Sequence, residues 1–129
     1  GGVNAMHDPT EGGVVGGIHE MADAANLGVK VFVDKIPMAQ ETLEICNHFH
    51  IDPLQLISSG ALLISASPRS AEKILEELEA HNIQAAVIGE FLENPKERLL
   101  VSDGGATTEL VRPLSDHLWI ALERLEAQI

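Results

Sequence analysis

The sequence HDPTEGGVVGG, residues 7–17, marks the point where an extended segment gives way to a helix. Asp8 is a residue type that caps helices, Pro9 suits the first helical position, and Glu11 stands three residues after Asp8, as in a capping box. These signals predict an amphipathic helix that starts in this stretch and runs to about Asn26.

Glycine is concentrated at this predicted helix start. Six of the first 17 residues are glycine, and each one inside a helix costs up to about 1 kcal/mol relative to alanine. Two explanations stay open: bare N–H groups approach an anion, or the helix backbone packs closely on a neighbouring element. The spacing excludes a P-loop, because no Gly-Lys-Ser/Thr follows, and it lacks the G-x-G-x-x-G of dinucleotide sites.

Hydrophobic periodicity predicts alternating strands and helices on both sides of this stretch. The predicted strands cover residues 3–6, 29–33, 61–66, 84–92, 98–102 and 107–111, and the further helices cover 40–49, 69–81 and 116–127. The apolar run 61–66 is typical of a central strand covered on both faces. We therefore predict an α+β fold, a layered sandwich of a mixed β-sheet with covering helices around a partly ferredoxin-like β-α-β-α-β core.

Composition limits the class of protein. The chain has 129 residues, 45% of them hydrophobic, which is enough for a single domain over residues 1–129 with its own core. A net charge of −12 disfavours nucleic acid and anionic membranes as partners. No apolar run approaches the ~20 residues that a membrane span needs. We expect a cytoplasmic protein that binds neither nucleic acid nor membrane.

The beginning of the chain indicates a fragment. It opens Gly1-Gly2-Val3, with neither an initiator Met nor the regions of a signal peptide. We therefore expect residues 1–129 to be the C-terminal half of a longer two-domain protein.

Four segments together resemble the C-terminal domain of the AIR synthase (PurM) superfamily. They are residues 6–14, 58–63, 88–90 and 112–119, which read MHDPTEGGV, SSGALL, IGE and RPLSDHLW. The resemblance is strongest to the hydrogenase expression/formation (HypE) branch and to archaeal AIR synthase-related proteins. It implies a two-domain, usually dimeric, ATP-dependent enzyme. In that enzyme an N-terminal domain of the same chain carries most of the ATP and magnesium ligands.

The resemblance also implies a site. In the family an Asp-Pro-Thr-x-Gly-Gly loop lines the cleft between the domains, so Asp8, Thr10, Gly12 and Gly13 are the implied anion- and substrate-binding positions. Backbone N–H groups would contact the anion, while the Thr10 hydroxyl and Asp8 would orient the loop. No cofactor is expected to bind tightly to this domain alone.

Three further side chains are candidates for the same cleft. His7 precedes the loop and is a titratable group suited to proton transfer near neutral pH. Ser58 and Ser59 precede a predicted strand and either reach the cleft or form an ordinary turn. His19 lies in the middle of the predicted helix, where we expect it to face solvent.

Two departures from the family pattern leave the function open. Glu11 stands where close relatives often have Arg, and HypE proper carries its chemistry on a C-terminal cysteine that residues 126–129 lack. One hypothesis is an ATP-dependent enzyme that activates a carbonyl or amide oxygen by phosphorylation. The alternative is a non-catalytic maturation or protein-interaction accessory that keeps the fold.

A second cluster of potential ligands invites a metal interpretation. His48, His50 and Asp52 are spaced two apart, and on a helix such residues point to different faces. We therefore predict no metal site there. Cys46 lies on the apolar stripe of the helix over 40–49, so we expect an inert core thiol.

Overall fold

The computed structural model describes residues 2–56 and 60–127. The strands are β1 (Val3–His7), β2 (Gly28–Phe32), β3 (Leu63–Ala66), β4 (Gly89–Leu92), β5 (Arg98–Val101) and β6 (Thr107–Glu109). The helices are α1 (Gly13–Ala25), α2 (Gln40–Phe49), α3 (Pro68–Ala80) and α4 (His117–Ala127), and 3-10 turns lie at Val33–Lys35 and Pro53–Gln55.

These elements belong to two compact units. The first, which we call the sheet unit, comprises the described parts of 1–6, 22–37 and 64–110; the second, the glycine-loop unit, comprises those of 7–21, 38–63 and 111–129. The single domain expected over residues 1–129 stays a prediction.

A mixed four-stranded sheet forms the centre of the sheet unit. Its strand order is β4-β2-β5-β6, with β2 antiparallel to β4, β2 parallel to β5, and β5 antiparallel to β6. β2 lies between β4 and β5, and the side chains of its Val29 and Val31 are buried. The edge strand β6, Thr107–Glu109, is exposed. The predicted α+β fold with a mixed sheet is confirmed.

The predicted role of the apolar run 61–66 is wrong. Only Leu63–Ala66 forms a strand, and it pairs with β1 in a two-stranded sheet. Ile64 remains 36% exposed, so β3 is not covered on both faces. A short apolar run is ambiguous because its composition does not reveal how many neighbours the strand will have.

The start of α1 also differs from the prediction. The helix begins at Gly13, about four residues after the predicted start, so the capping box at Asp8 and Glu11 does not form. Gly12 and Gly13 have φ values of +79° and +64°, which a right-handed helix excludes. Gly13 is thus the first residue of α1 by its range, but the right-handed φ values begin only at Val14.

The other predicted elements agree with the structure, except at residues 84–92. There the strand is limited to Gly89–Leu92, and residues 84–87 are exposed and irregular. An extended segment without a buried face gains little from pairing. Among the described residues, no helix combines the length and the apolar character that crossing a membrane requires.

Candidate functional site

The glycine-rich loop, residues 8–13, connects β1 to α1. Its exposed side chains are those of Asp8, Thr10 and Glu11. Gly12 and Gly13 are buried, as is Pro9. The loop therefore turns its glycine backbone inward and presents two carboxylates and one hydroxyl to solvent.

Close packing explains the glycine at two positions of this region. A Cβ on Gly13 would lie 2.3 Å from the Leu56 carbonyl oxygen and 2.6 Å from that of Leu54. A Cβ on Gly17 would lie 2.9 Å from the Pro9 Cβ. Both separations are shorter than a Cβ tolerates, so a larger residue would displace backbone at Gly13 and the Pro9 ring at Gly17. Tight packing, one of the two explanations left open by the sequence, is thus present.

The loop amides have partners within the glycine-loop unit. The Gly12 N–H donates to Asp116 Oδ2 at 2.6 Å, and the Gly13 N–H donates to the Thr10 carbonyl oxygen at 3.1 Å. Anion contact through these two N–H groups stays a prediction, and it requires an anion to replace these partners.

Asp116 is the residue of this region that sequence reasoning missed. Its side chain is 5% exposed, and its Oδ1 accepts a 2.8 Å hydrogen bond from the Leu118 N–H, which caps α4. The cap was foreseeable, because Asp precedes an apolar helical segment. The bond to Gly12, 104 residues away in sequence, leaves no local signal.

The two histidines near the loop are placed differently from each other. His7, the last residue of β1, pairs with Glu20 through a 2.6 Å contact between Nε2 and Oε2, and its side chain is 32% exposed. His19 is 4% exposed, so the expectation that it faces solvent is wrong. The buried face of α1 contains Val15 and Ala22, and His19 lies on that same face by the three-and-four spacing of a helix.

The remaining candidates do not add to the site. Ser58 and Ser59 lie outside the described residues, and their role stays a prediction. Within residues 2–56 and 60–127, no three His, Cys, Asp or Glu side chains gather as a metal site would require. Cys46 is buried, and burial first and the Asp52 carboxylate second raise the pKa of its thiol.

Helix α4 is attached to the α2 region by two further contacts. The Asp52 N–H donates to His117 Nδ1 at 2.9 Å, which places the ring proton of a neutral His117 on Nε2. The Arg124 guanidinium donates to the carbonyl oxygens of Phe49 and His50, where α2 ends. These contacts fix α4 within the same unit as the glycine-rich loop.

Comparison with known proteins identifies relatives of this arrangement. Residues 1–102 match the model of the AIR synthase related protein, C-terminal domain. A putative hydrogenase expression/formation protein of Methanocaldococcus jannaschii is 38% identical over 89 residues, which are 67% of this chain and 27% of that protein. Carbamoyl dehydratase HypE of Escherichia coli is 33% identical over 100 residues, which are 76% of this chain and 30% of that protein.

Solved structures share the fold. The crystal structure of E. coli HypE superposes with a TM-score of 0.82 at 29% identity, covering 94% of this chain and 38% of that one. T. maritima PurL complexed with ADP superposes with a TM-score of 0.68 at 23% identity, covering 84% of this chain and 18% of that one. The chain spans between a quarter and a third of the length of the curated relatives it matches. It belongs to the family of AIR synthase related protein C-terminal domains, as its four sequence segments predict.

Proposed function

We propose that this chain is the C-terminal domain of a HypE-like, ATP-dependent enzyme and that its glycine-rich loop lines the nucleotide cleft. The observation that carries the proposal is the loop itself. The family motif over residues 8–13 forms a turn with a buried glycine backbone, and it presents the Thr10 hydroxyl outward. The relatives named carbamoyl dehydratase HypE support the reaction class, and a HypE crystal structure with the same fold was solved in complex with ATP.

The proposed chemistry is removal of an oxygen as phosphate. A carbamoyl oxygen attacks the γ-phosphorus of ATP and ADP leaves. The nitrogen then gives up two protons to water as the carbon–oxygen bond breaks, which yields a nitrile and inorganic phosphate. The group that carries the carbamoyl is not a cysteine of residues 126–129, which contain none. Such a reaction depends on positioning and on neutralising the charge that develops at the phosphoryl group.

The loop side chains fit a magnesium-bound nucleotide better than a bare triphosphate. Asp8 and Glu11 are exposed carboxylates, and residues 1–29 contain no Lys or Arg. Carboxylate and hydroxyl oxygens are ligands that Mg²⁺ accepts, whereas they repel phosphate. In this proposal Thr10 orients the nucleotide, Asp8 and Glu11 face the metal ion, and cations for the phosphates come from outside this domain.

The proposal places the rest of the site on other parts of the protein. Residues 1–129 act as the C-terminal half of a two-domain chain, and the N-terminal half supplies most of the ATP and magnesium ligands. The complete protein forms a homodimer in this scheme. The crystal structure of a HypE–HypF complex supports a further protein partner, because its HypE shares this fold at a TM-score of 0.80 and 26% identity.

A second candidate function is a maturation accessory without catalysis. It is favoured by Glu11 within the loop and by the Asp116 carboxylate, which accepts a hydrogen bond from the Gly12 N–H. Both place negative charge where a phosphate would bind.

Thr10→Val tests the enzyme proposal in the complete protein. The variant keeps the size of the side chain and removes the hydroxyl, so we expect kcat/KM for MgATP to fall about tenfold, as for the loss of one hydrogen bond to a charged group. Thr108→Val, at the exposed strand β6, is the matched control and should leave kcat/KM unchanged. Equal rates for both variants would contradict the proposed role of the loop, and absence of ATP turnover in the complete protein would favour the accessory.

A further inference from the structure

We propose that Asp116 is the positioning residue of the glycine-rich loop, holding it in place from the C-terminal segment of the domain. The inference rests on the proposed function in one respect, because it takes this loop to line the nucleotide cleft. The loop contact itself lies wholly within the glycine-loop unit.

The two oxygens of the Asp116 carboxylate have separate tasks. Oδ1 accepts from the Leu118 N–H at 2.8 Å and caps α4, while Oδ2 accepts from the Gly12 N–H at 2.6 Å. A helix cap needs only the first of these bonds, and Ser, Thr and Asn supply it as well as Asp does. The bond from the Gly12 N–H requires a second acceptor oxygen on the same side chain, and a carboxylate supplies it.

The loop is held at consecutive residues. Gly13 lies against the carbonyl oxygens of Leu54 and Leu56, so the loop cannot move toward the 3-10 turn. Gly12 is held through its N–H by Asp116, and Pro113 from the same segment lies 3.7 Å from the place of a Gly12 Cβ. The segment around Asp116 therefore sets where the backbone turns before α1.

This arrangement directs ligand contact to one part of the loop. The Gly12 N–H already has a charged acceptor at 2.6 Å in a buried position, and a hydrogen bond to an ionised group is stronger than an ordinary one. A phosphate that approached Gly12 would have to displace that carboxylate. The exposed Thr10 hydroxyl is thus the loop group that a nucleotide meets, at a position fixed by Asp116.

Asp116→Ser separates the two tasks in an experiment. Serine keeps the α4 cap but has a single oxygen, so it loses the bond to Gly12. In the 129-residue chain we expect amide exchange measured by NMR to become at least about tenfold faster at Gly12, with its proton resonance moving upfield, while Leu118 keeps its protection. Asp103→Ser, in the exposed turn after β5, removes the same charge and should change neither amide.

Asp116→Asn provides a second variant, since it keeps the shape of the carboxylate but has one acceptor oxygen. Its single acceptor oxygen can serve only one of the two N–H groups, so either Gly12 or Leu118 should lose protection. Unchanged exchange and resonance at Gly12 in both variants would overturn the inference, as would equal acceleration at every amide of the glycine-loop unit.

The complete enzyme gives the functional readout. Asp116→Ser should raise the KM for MgATP about tenfold relative to Asp103→Ser, with a smaller effect on kcat. Faster amide exchange at Gly12 without any change in the KM for MgATP would overturn the positioning role of Asp116. Because the NMR experiment uses no nucleotide, its outcome is independent of whether the proposed function is correct.

Discussion

Replacing Gly13 by alanine should destabilise the chain by about 3 kcal/mol. The left-handed backbone at φ +64° costs a residue with a Cβ roughly 1–2 kcal/mol. The new Cβ would also lie 2.3 Å from the Leu56 oxygen and 2.6 Å from the Leu54 oxygen, which forces backbone to move. Overpacking of this kind costs typically about 1–3 kcal/mol.

Two other glycines separate these contributions. Gly104 has φ +96° and nothing within 4 Å of its Cβ position, so Gly104→Ala tests the backbone conformation alone and should cost about 1 kcal/mol. Gly28 lacks a positive φ, but its Cβ would lie 2.1 Å from the Asn94 oxygen. Gly28→Ala therefore tests the steric contribution alone and should cost about 2 kcal/mol.

Urea unfolding of the three variants gives the measurement. With an m-value of about 1.5 kcal/mol/M, the midpoint for Gly13→Ala should fall by about 2 M, and that for Gly104→Ala by less than 1 M. A Gly13→Ala midpoint equal to that of Gly104→Ala would refute the claim that the loop is packed against the two carbonyl groups.

Two further predictions concern side chains outside the loop. Cys46 should react with a thiol reagent only as the chain opens. Burial first and the Asp52 carboxylate second raise the pKa of its thiol above the ordinary 9.0, so the free energy of unfolding should be full below about pH 9 and should fall as the pH rises further. The Cys46→Ala variant should lack this loss. Arg98→Lys should lower the free energy of unfolding by about 1 kcal/mol, since the Arg98 guanidinium donates both to Asp23 at 2.8 Å and to the Leu27 carbonyl oxygen at 3.3 Å. The exposed Arg69→Lys is the control, and an equal urea midpoint for the two would contradict this assignment.

Helix α2 and the β5–β6 hairpin could be predicted because their sequence signals lie within the segments themselves. Helix α2 covers Gln40–Phe49, the predicted range, because an apolar stripe and the flanking chain breaks all lie within the segment. The β5–β6 hairpin formed as predicted, because its Asp-Gly-Gly turn determines the pairing of adjacent strands. The family was also predictable, since the order and spacing of the four segments are sequence properties, and three of the four lie within the matched residues 1–102.

The remaining features depend on contacts between distant residues. The start of α1 follows the left-handed turn at Gly12 and Gly13, and nothing local distinguishes that turn from an early helix cap. The contact between Gly12 and Asp116 joins opposite ends of the chain, so no spacing rule applies to it. The expectation for His19 rested on its position in the middle of the helix, away from the loop, and that position does not determine exposure: His19 lies four residues after Val15 and three before Ala22, on the buried stripe.

Magnesium-dependent ATP hydrolysis tests the central claim most directly. It should be measured on the purified 129-residue chain alone, and again after mixing with the N-terminal half of the protein. We predict no turnover by the chain alone, because a triphosphate needs cations, which residues 1–29 lack, and a complete set of magnesium ligands, of which Asp8 and Glu11 supply only part in the proposed function. Turnover should appear on mixing, and hydrolysis by the chain alone, or none by the mixture, would contradict the split-site account.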